Sequence, residues 1–173
     1  MTCWTWFGPA AAVALAAATL AAPGAAEARK TVPFTAEGFR PGTIVIRDRE
    51  RALYFLAGEN RAYRYRVAVG RRGKHWFGTA YVKGKYVNPA WSPPADVRRD
   101  KPGLPSVIPG GSPRNPMGPR AIMLDRDEIA IHGTNRPGSI GTFASYGCIR
   151  MMNADILDLY ERVGLGAEVV VTP

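Results

Sequence analysis

Two cysteines and two histidines among 173 residues leave this chain short of the side chains that hold metals and form disulfides. The histidines, His75 and His132, stand far apart, and no H-x-x-x-H or C-x-x-C spacing occurs. A zinc site would therefore have to recruit dispersed carboxylates, and no metal is expected. A phosphate loop is missing as well. "VGRRGKHW" (69–76) has its glycines too close together and puts His75 where such a loop needs Ser or Thr, so it reads as a basic turn. Acidic residues are scarce, 14 against 23 Lys and Arg, for a net charge of +9. That balance favours anionic partners: nucleic acid, acidic lipid or carboxylate-rich wall polymers. The cations Arg47, Arg49, Arg51, Arg64, Arg66, Arg98 and Arg99 are spread over separate segments rather than gathered in a stripe, which disfavours nucleic acid.

Long apolar runs are also lacking. The longest, Ala10 to Ala22, is Ala-rich, closes on Pro23 and Gly24, and is shorter than the roughly 20 residues of a membrane span. Ala26-Glu27-Ala28 follows with the small-x-small pattern of a signal-peptidase site. Residues 1–28 are thus read as a cleaved export signal, although "MTCWTWFGP" lacks the usual positive charge. Residues 29–40 form a lead-in and 41–173 one domain. Cleavage would leave 145 residues, enough for a single core, and raise the net charge to +10 by removing Glu27. It implies an exported protein of the periplasm or cell wall with no stable membrane anchor, and argues further against nucleic acid. It would also remove Cys3. Cys148, left alone, is then an intermolecular partner, a buried thiol or a reactive one.

Short strands dominate from Thr43 onward. "TIVIR" (43–47) and "ALYFL" (52–56) flank a charged turn and read as a hairpin. "YRYRVAVG" (63–70) alternates with period 2, and "TAYVKGKYV" (79–87) is a further strand weakened by Gly84. Residues 88–120, rich in Pro and Gly, read as a long ordered loop or lid. Trp91 is expected beneath it as a buried aromatic rather than as a groove wall. "RAIMLD" (120–125) and "EIAIHG" (128–133) are two more strands. One helix follows the cysteine, capped by Asn153 and stopped by Gly164, with Ile156, Leu159, Tyr160 and Val163 as its apolar stripe. "AEVVVTP" is the last strand. The class is mainly β, with one helix on the sheet.

Cys148 and His132 are the pair with chemical promise. A thiol of ordinary pKa, about 8.5, is only slightly ionised near neutrality, and a neighbouring imidazole can accept its proton. A strand ending at His132 would hold the base rigidly. The fifteen residues between the two, "GTNRPGSIGTFASYG", carry four glycines and could loop back. Gly147 would let the main chain approach a substrate carbonyl, with amides near Cys148 facing the oxyanion. On spacing alone, a buried thiol and a surface histidine explain these residues equally well.

"IHGTNRPGSIGTFASYGCIRMMNADILDLYERV" (131–163) resembles the signature of the L,D-transpeptidase catalytic domain, and "RALYFL", "RYRVAVGRRGKHWFGTAYV", "NPAWSPP" and "NPMGPRAIML" fall in the matching order. The likeness covers roughly residues 41 to 172. It implies a β-sandwich with one main helix after the catalytic cysteine. It also implies peptidoglycan stem peptides as partners and no cofactor. The family pattern is a histidine followed by Ser/Thr-His-Gly-Cys, a hydrophobic residue, and Asn or Arg. His132, Ser145, Gly147, Cys148, Ile149 and Arg150 match it, while Tyr146 replaces the second histidine. The resemblance makes Cys148 the nucleophile, His132 the base and the Gly133 carbonyl its orienting group. The Tyr146, Gly147 and Cys148 amides become the oxyanion donors. Arg150 either pairs with an acidic residue such as Asp155 or clamps a substrate carboxylate, the latter favoured by its position. Ser145 either binds substrate or orders the turn. The implied reaction links two diaminopimelate residues through a cysteine thioester. A carboxypeptidase, a lipoprotein-anchoring or hydrolytic variant, and a non-catalytic wall-binding module are the alternatives.

Overall fold

The computed structural model describes Met1 and residues 31–36, 38–126 and 128–173; the rest of the expected leader lies outside the described residues. In chain order the strands are β1 (Thr31–Pro33), β2 (Ile44–Arg47), β3 (Ala52–Gly58), β4 (Arg61–Gly70) and β5 (Gly78–Val87). They continue with β6 (Arg120–Leu124), β7 (Ala130–His132), β8 (Phe143–Ser145), β9 (Ile149–Met151) and β10 (Glu168–Thr172). Helix α1 spans Ala95–Asp100 and α2 spans Asn153–Arg162. Neighbours run β1-β4-β3-β2-β10-β5-β6-β7-β9. The expected sandwich is joined at its edges, because β9 pairs back onto β4 through Val67↔Met151 and Ala68↔Arg150. The sheet is therefore closed and barrel-like. Closure leaves few open edges for unwanted pairing.

Period-2 alternation decides what faces the interior. Ile44 and Ile46 of β2, Leu53 and Phe55 of β3, and Tyr65, Val67 and Val69 of β4 point into the main core. Their sequence neighbours Val45, Ala52, Tyr54 and Leu56 face a second cluster closed by Phe34. That is why β2 and β3 read as nearly continuous apolar runs: both of their faces are covered. Between Val82 and Gly84 the β5–β6 register shifts, so the glycine that weakened the strand pattern sits at an irregularity without ending the strand.

Helix α2 packs against β6 and buries Ile156 and Leu159, as its stripe predicts. Its ends differ from expectation. Met152 is the N-cap, with no side-chain hydrogen bond. Asn153 turns instead toward the loop after β7, where its Oδ1 accepts the Thr134 N–H at 2.8 Å. At the other end Val163 leaves the helix in an extended conformation, and the left-handed glycine is Gly166, not Gly164.

Residues 88–119 form an ordered lid that contains the short helix α1, too brief for its period to show in the sequence. Trp91 and Ile108 exchange backbone hydrogen bonds across its base at 2.9 and 2.8 Å. Asn115, 3% exposed, is its centre. The Asn115 amide donates toward the carbonyls of Pro89, Ile108 and Pro109, and its Oδ1 accepts the Met117 N–H. Asn115→Ala should leave these groups unpaired, lower unfolding free energy by roughly 1–3 kcal/mol, and speed proteolysis within 88–119. Urea titration with timed digestion checks both; an unchanged digestion rate would deny Asn115 this role.

Candidate active site

Strands β7 and β9 run parallel with Ile131 opposite Ile149 and His132 opposite Arg150. Side chains alternate along a strand, so the two buried isoleucines face the core, and Ala130, His132, Cys148 and Arg150 line the opposite side. There they form one wall of a groove of about 350 Å³. Trp91, Pro94, Val97 and Met117 of the lid form the other. Trp91 is only partly buried and lines this groove, so the expectation of a buried aromatic gives way to a groove wall.

His132 is 4% exposed. Its Nδ1 lies 2.8 Å from the Gly133 carbonyl, which can only accept, so Nδ1 carries the proton and Nε2 is left as the basic nitrogen. Burial, with a smaller push from Arg150, lowers the imidazole to a pKa of about 4, against the opposing carbonyls of Gly133 and Pro116. Gly133 is held closely: a Cβ there would lie 2.5 Å from Asn153 Oδ1 and 2.9 Å from Pro119 Cδ. Asn153 thus anchors the segment that carries the orienting carbonyl.

The Cys148 thiol donates to the Glu128 carbonyl at 3.5 Å. Burial raises its pKa above the ordinary value, while the Ala130 backbone and the Arg150 charge favour the thiolate. Cys148 and His132 share the groove wall, yet no hydrogen bond joins them among the described residues. The resting site is a neutral thiol beside a neutral imidazole, not a preformed ion pair. Trp76, which sequence reasoning passed over, fixes the loop before the cysteine: its Nε1 donates to the Gly147 carbonyl at 3.0 Å. Gly147 itself has φ 121° and lies against Ile129, where a Cβ would be 2.8 Å from Cδ1.

Ser145 is 0% exposed, and its hydroxyl accepts the Gly147 N–H at 3.1 Å, so it braces the turn at the edge of the groove. That same bond occupies the Gly147 N–H, one of the three amides that the resemblance makes oxyanion donors. The Tyr146 and Cys148 amides have no protein acceptor among the described residues. Tyr146 is held by its ring and hydroxyl: Arg71 stacks on the ring at 4.1 Å, and the hydroxyl donates to Asp100 Oδ2 at 2.9 Å. Arg71 reaches the same oxygen at 2.6 Å, and Lys74 pairs with Asp96. These bonds clasp α1 to the core. Hydrogen bonds from Arg71 and then Tyr146 keep the Asp100 carboxyl below its usual range. Arg150 meets no carboxylate among the described residues; its neighbours in charge are Cys148, Arg136 and Tyr146. Asp155 is not among them.

The L,D-transpeptidase catalytic domain model matches residues 41–171. The probable L,D-transpeptidase YbiS of Escherichia coli K12 is 38% identical over 135 residues, covering 73% of this chain and 43% of that protein. The chain thus spans less than half the length of this curated relative. An Enterococcus faecium L,D-transpeptidase superposes with a TM-score of 0.61 at 16% identity, over 77% of this chain and 50% of that one. A Brucella melitensis protein described as a probable carnitine operon oxidoreductase is 42% identical, with a TM-score of 0.54 over 83% of this chain and 92% of its own. With the domain match covering both β7 and β9, this chain belongs to the L,D-transpeptidase catalytic domain family.

Proposed function

We propose that this chain is an exported cysteine acyltransferase of the cell wall that joins peptidoglycan stem peptides by L,D-transpeptidation. One observation carries the reading: a singly oriented, neutral histidine at the end of β7 and a cysteine immediately before the adjacent parallel strand β9 both line one groove.

In the proposed cycle the thiol turns from the Glu128 carbonyl toward Nε2 of His132, which takes its proton as the sulfur attacks the diaminopimelate carbonyl of a donor stem. The Tyr146 and Cys148 amides hold the oxyanion. Collapse forms the thioester, and His132 passes its proton to the departing D-alanine amine. The side-chain amine of a second stem then attacks the thioester, its proton passes through His132, and the sulfur leaves and is reprotonated. Arg150 favours the thiolate and opposes the imidazolium, so its charge helps the nucleophile while keeping the base unprotonated. The groove holds Glu128 as its one acidic lining residue, which suits a carboxylate-bearing substrate.

Incubation with a disaccharide tetrapeptide should add the donor mass less D-alanine to the intact protein, and a Cys148→Ala variant should show no adduct. A cross-linked product formed by Cys148→Ala would overturn the mechanism.

A pH effect on stability follows from the buried imidazole. Its folded pKa of about 4 lies below the unfolded value of 6.5, so between these values the unfolded chain binds more protons. The His132 contribution is fully present above 6.5 and is lost as pH falls toward 4, on the order of 3 kcal/mol. His132→Asn should flatten this part of the curve, measured by urea unfolding at pH 7, 5.5 and 4.5. Equal slopes in both proteins would contradict a neutral, buried His132.

Tyr146→Phe keeps the ring under Arg71 and removes the bond to Asp100. It should lower kcat/KM about threefold to tenfold, chiefly through KM, while thioester formation still goes to completion. Loss of the adduct would instead make the hydroxyl a participant in acyl transfer.

A further inference from the structure

The groove continues past Arg150 into a second, smaller lobe of about 130 Å³. Trp91, Val97, Pro116, Tyr146 and Arg150 line both lobes, so the two spaces are contiguous. Their charges differ sharply. Lys101 beyond α1, Arg114 of the lid, Arg136 after β7 and Arg150 of β9 all border the second lobe, and no Asp or Glu lines it. None of the four forms an ion pair with a described carboxylate. Three other cations around the lid do: Arg71 with Asp100, Lys74 with Asp96, and Arg99 with both.

Four like charges from separate segments repel one another, and partial burial makes Arg150 harder to keep charged. An arrangement of that kind is relieved by an anion in its midst, and a guanidinium fork matches a carboxylate in two-pronged geometry. Position narrows the choice. Arg150 lies two residues beyond Cys148 on the same face, about 7 Å along an extended chain. That spacing puts the cations within reach of carboxylates adjoining a carbonyl held at the sulfur, if the peptide runs along β9 toward them.

We infer that the second lobe is a carboxylate subsite that reads the free acid groups of the donor stem, so that unamidated stems are selected over amidated ones. The inference rests on the transpeptidase reading for the identity of the ligand. It goes beyond that reading by assigning Lys101, Arg114 and Arg136 a role in specificity. Lys101, Arg114 and Arg136 are exposed, so their attraction is screened by salt, while Arg150 is shielded.

The experiment uses two synthetic tetrapeptides, one with free glutamate and diaminopimelate carboxylates and one with both amidated. Calorimetry of the full chain carrying Cys148→Ala measures binding without chemistry, and intact mass of the unaltered protein measures thioester formation. The free-acid stem should bind at least tenfold tighter, with an advantage that shrinks between low and moderate salt. Lys101→Gln combined with Arg136→Gln, both at exposed positions, should reduce the preference below threefold by weakening only the free-acid stem. Equal binding of the two peptides, or a preference untouched by the double substitution, would overturn the subsite. Thioester formation from both stems at equal rates would remove the subsite and leave the transpeptidase reading standing. Discrimination in binding without any thioester would do the reverse, and binding of neither stem would end both.

Discussion

A two-residue parallel register between β7 and β9 holds the rest of the site in place. Pairing of Ile131 with Ile149 buries two isoleucines in the core and, by alternation, turns Ala130, His132, Cys148 and Arg150 outward together. Slipping this pairing by one residue would send His132 into the barrel and an isoleucine into the groove. The apolar core therefore enforces the arrangement: the cost of exposing Ile131 and Ile149 keeps His132 and Cys148 on one wall. Closure of the sheet through β9 and β4 fixes that wall from its other edge.

Burial then sets the protonation states. The same low-polarity environment pushes the imidazole down and the thiol up, so each rests uncharged. In the proposed cycle charge has to appear on both, and the groups that would meet it are fixed beforehand: the Gly133 carbonyl on Nδ1, the Ala130 backbone and Arg150 near the sulfur, and the amides of Tyr146 and Cys148, which have no acceptor among the described residues. Fixed donors of this kind need little rearrangement as the reaction proceeds. The proposed carboxylate subsite extends the same logic to the cations bordering the second lobe.

The lid supplies the opposite wall and depends on polar bonds more than on apolar burial. Asn115 ties its carbonyls together, while Asp96 and Asp100 clasp α1 to Lys74, Arg71 and Tyr146. Tyr146, which replaces the second histidine of the family pattern, is thereby accounted for: its hydroxyl holds the lid. Exposed ion pairs of this type contribute little stability individually, so α1 is held by bonds that are weak one by one.

The sequence by itself determined strands β2 to β7 and β10 from apolar runs and, in β4, alternation, together with the apolar stripe of α2 and the identity of the cysteine and histidine. These features depend on local periodicity and residue chemistry, which any stretch of chain carries with it. Strands β1, β8 and β9, of three residues each and set among turns, carry no apolar run or period of their own and are revealed only by their pairing partners, while the six-residue α1 is too short for a helical period to register. The roles of Ser145, Asn115, Asn153 and Trp76 were likewise decided by tertiary structure alone, because each bonds to groups distant in sequence or hidden in a turn. The position of Arg150 in the groove wall likewise follows from pairing between strands. A side chain's type is local, but its partner is chosen by how the whole chain packs.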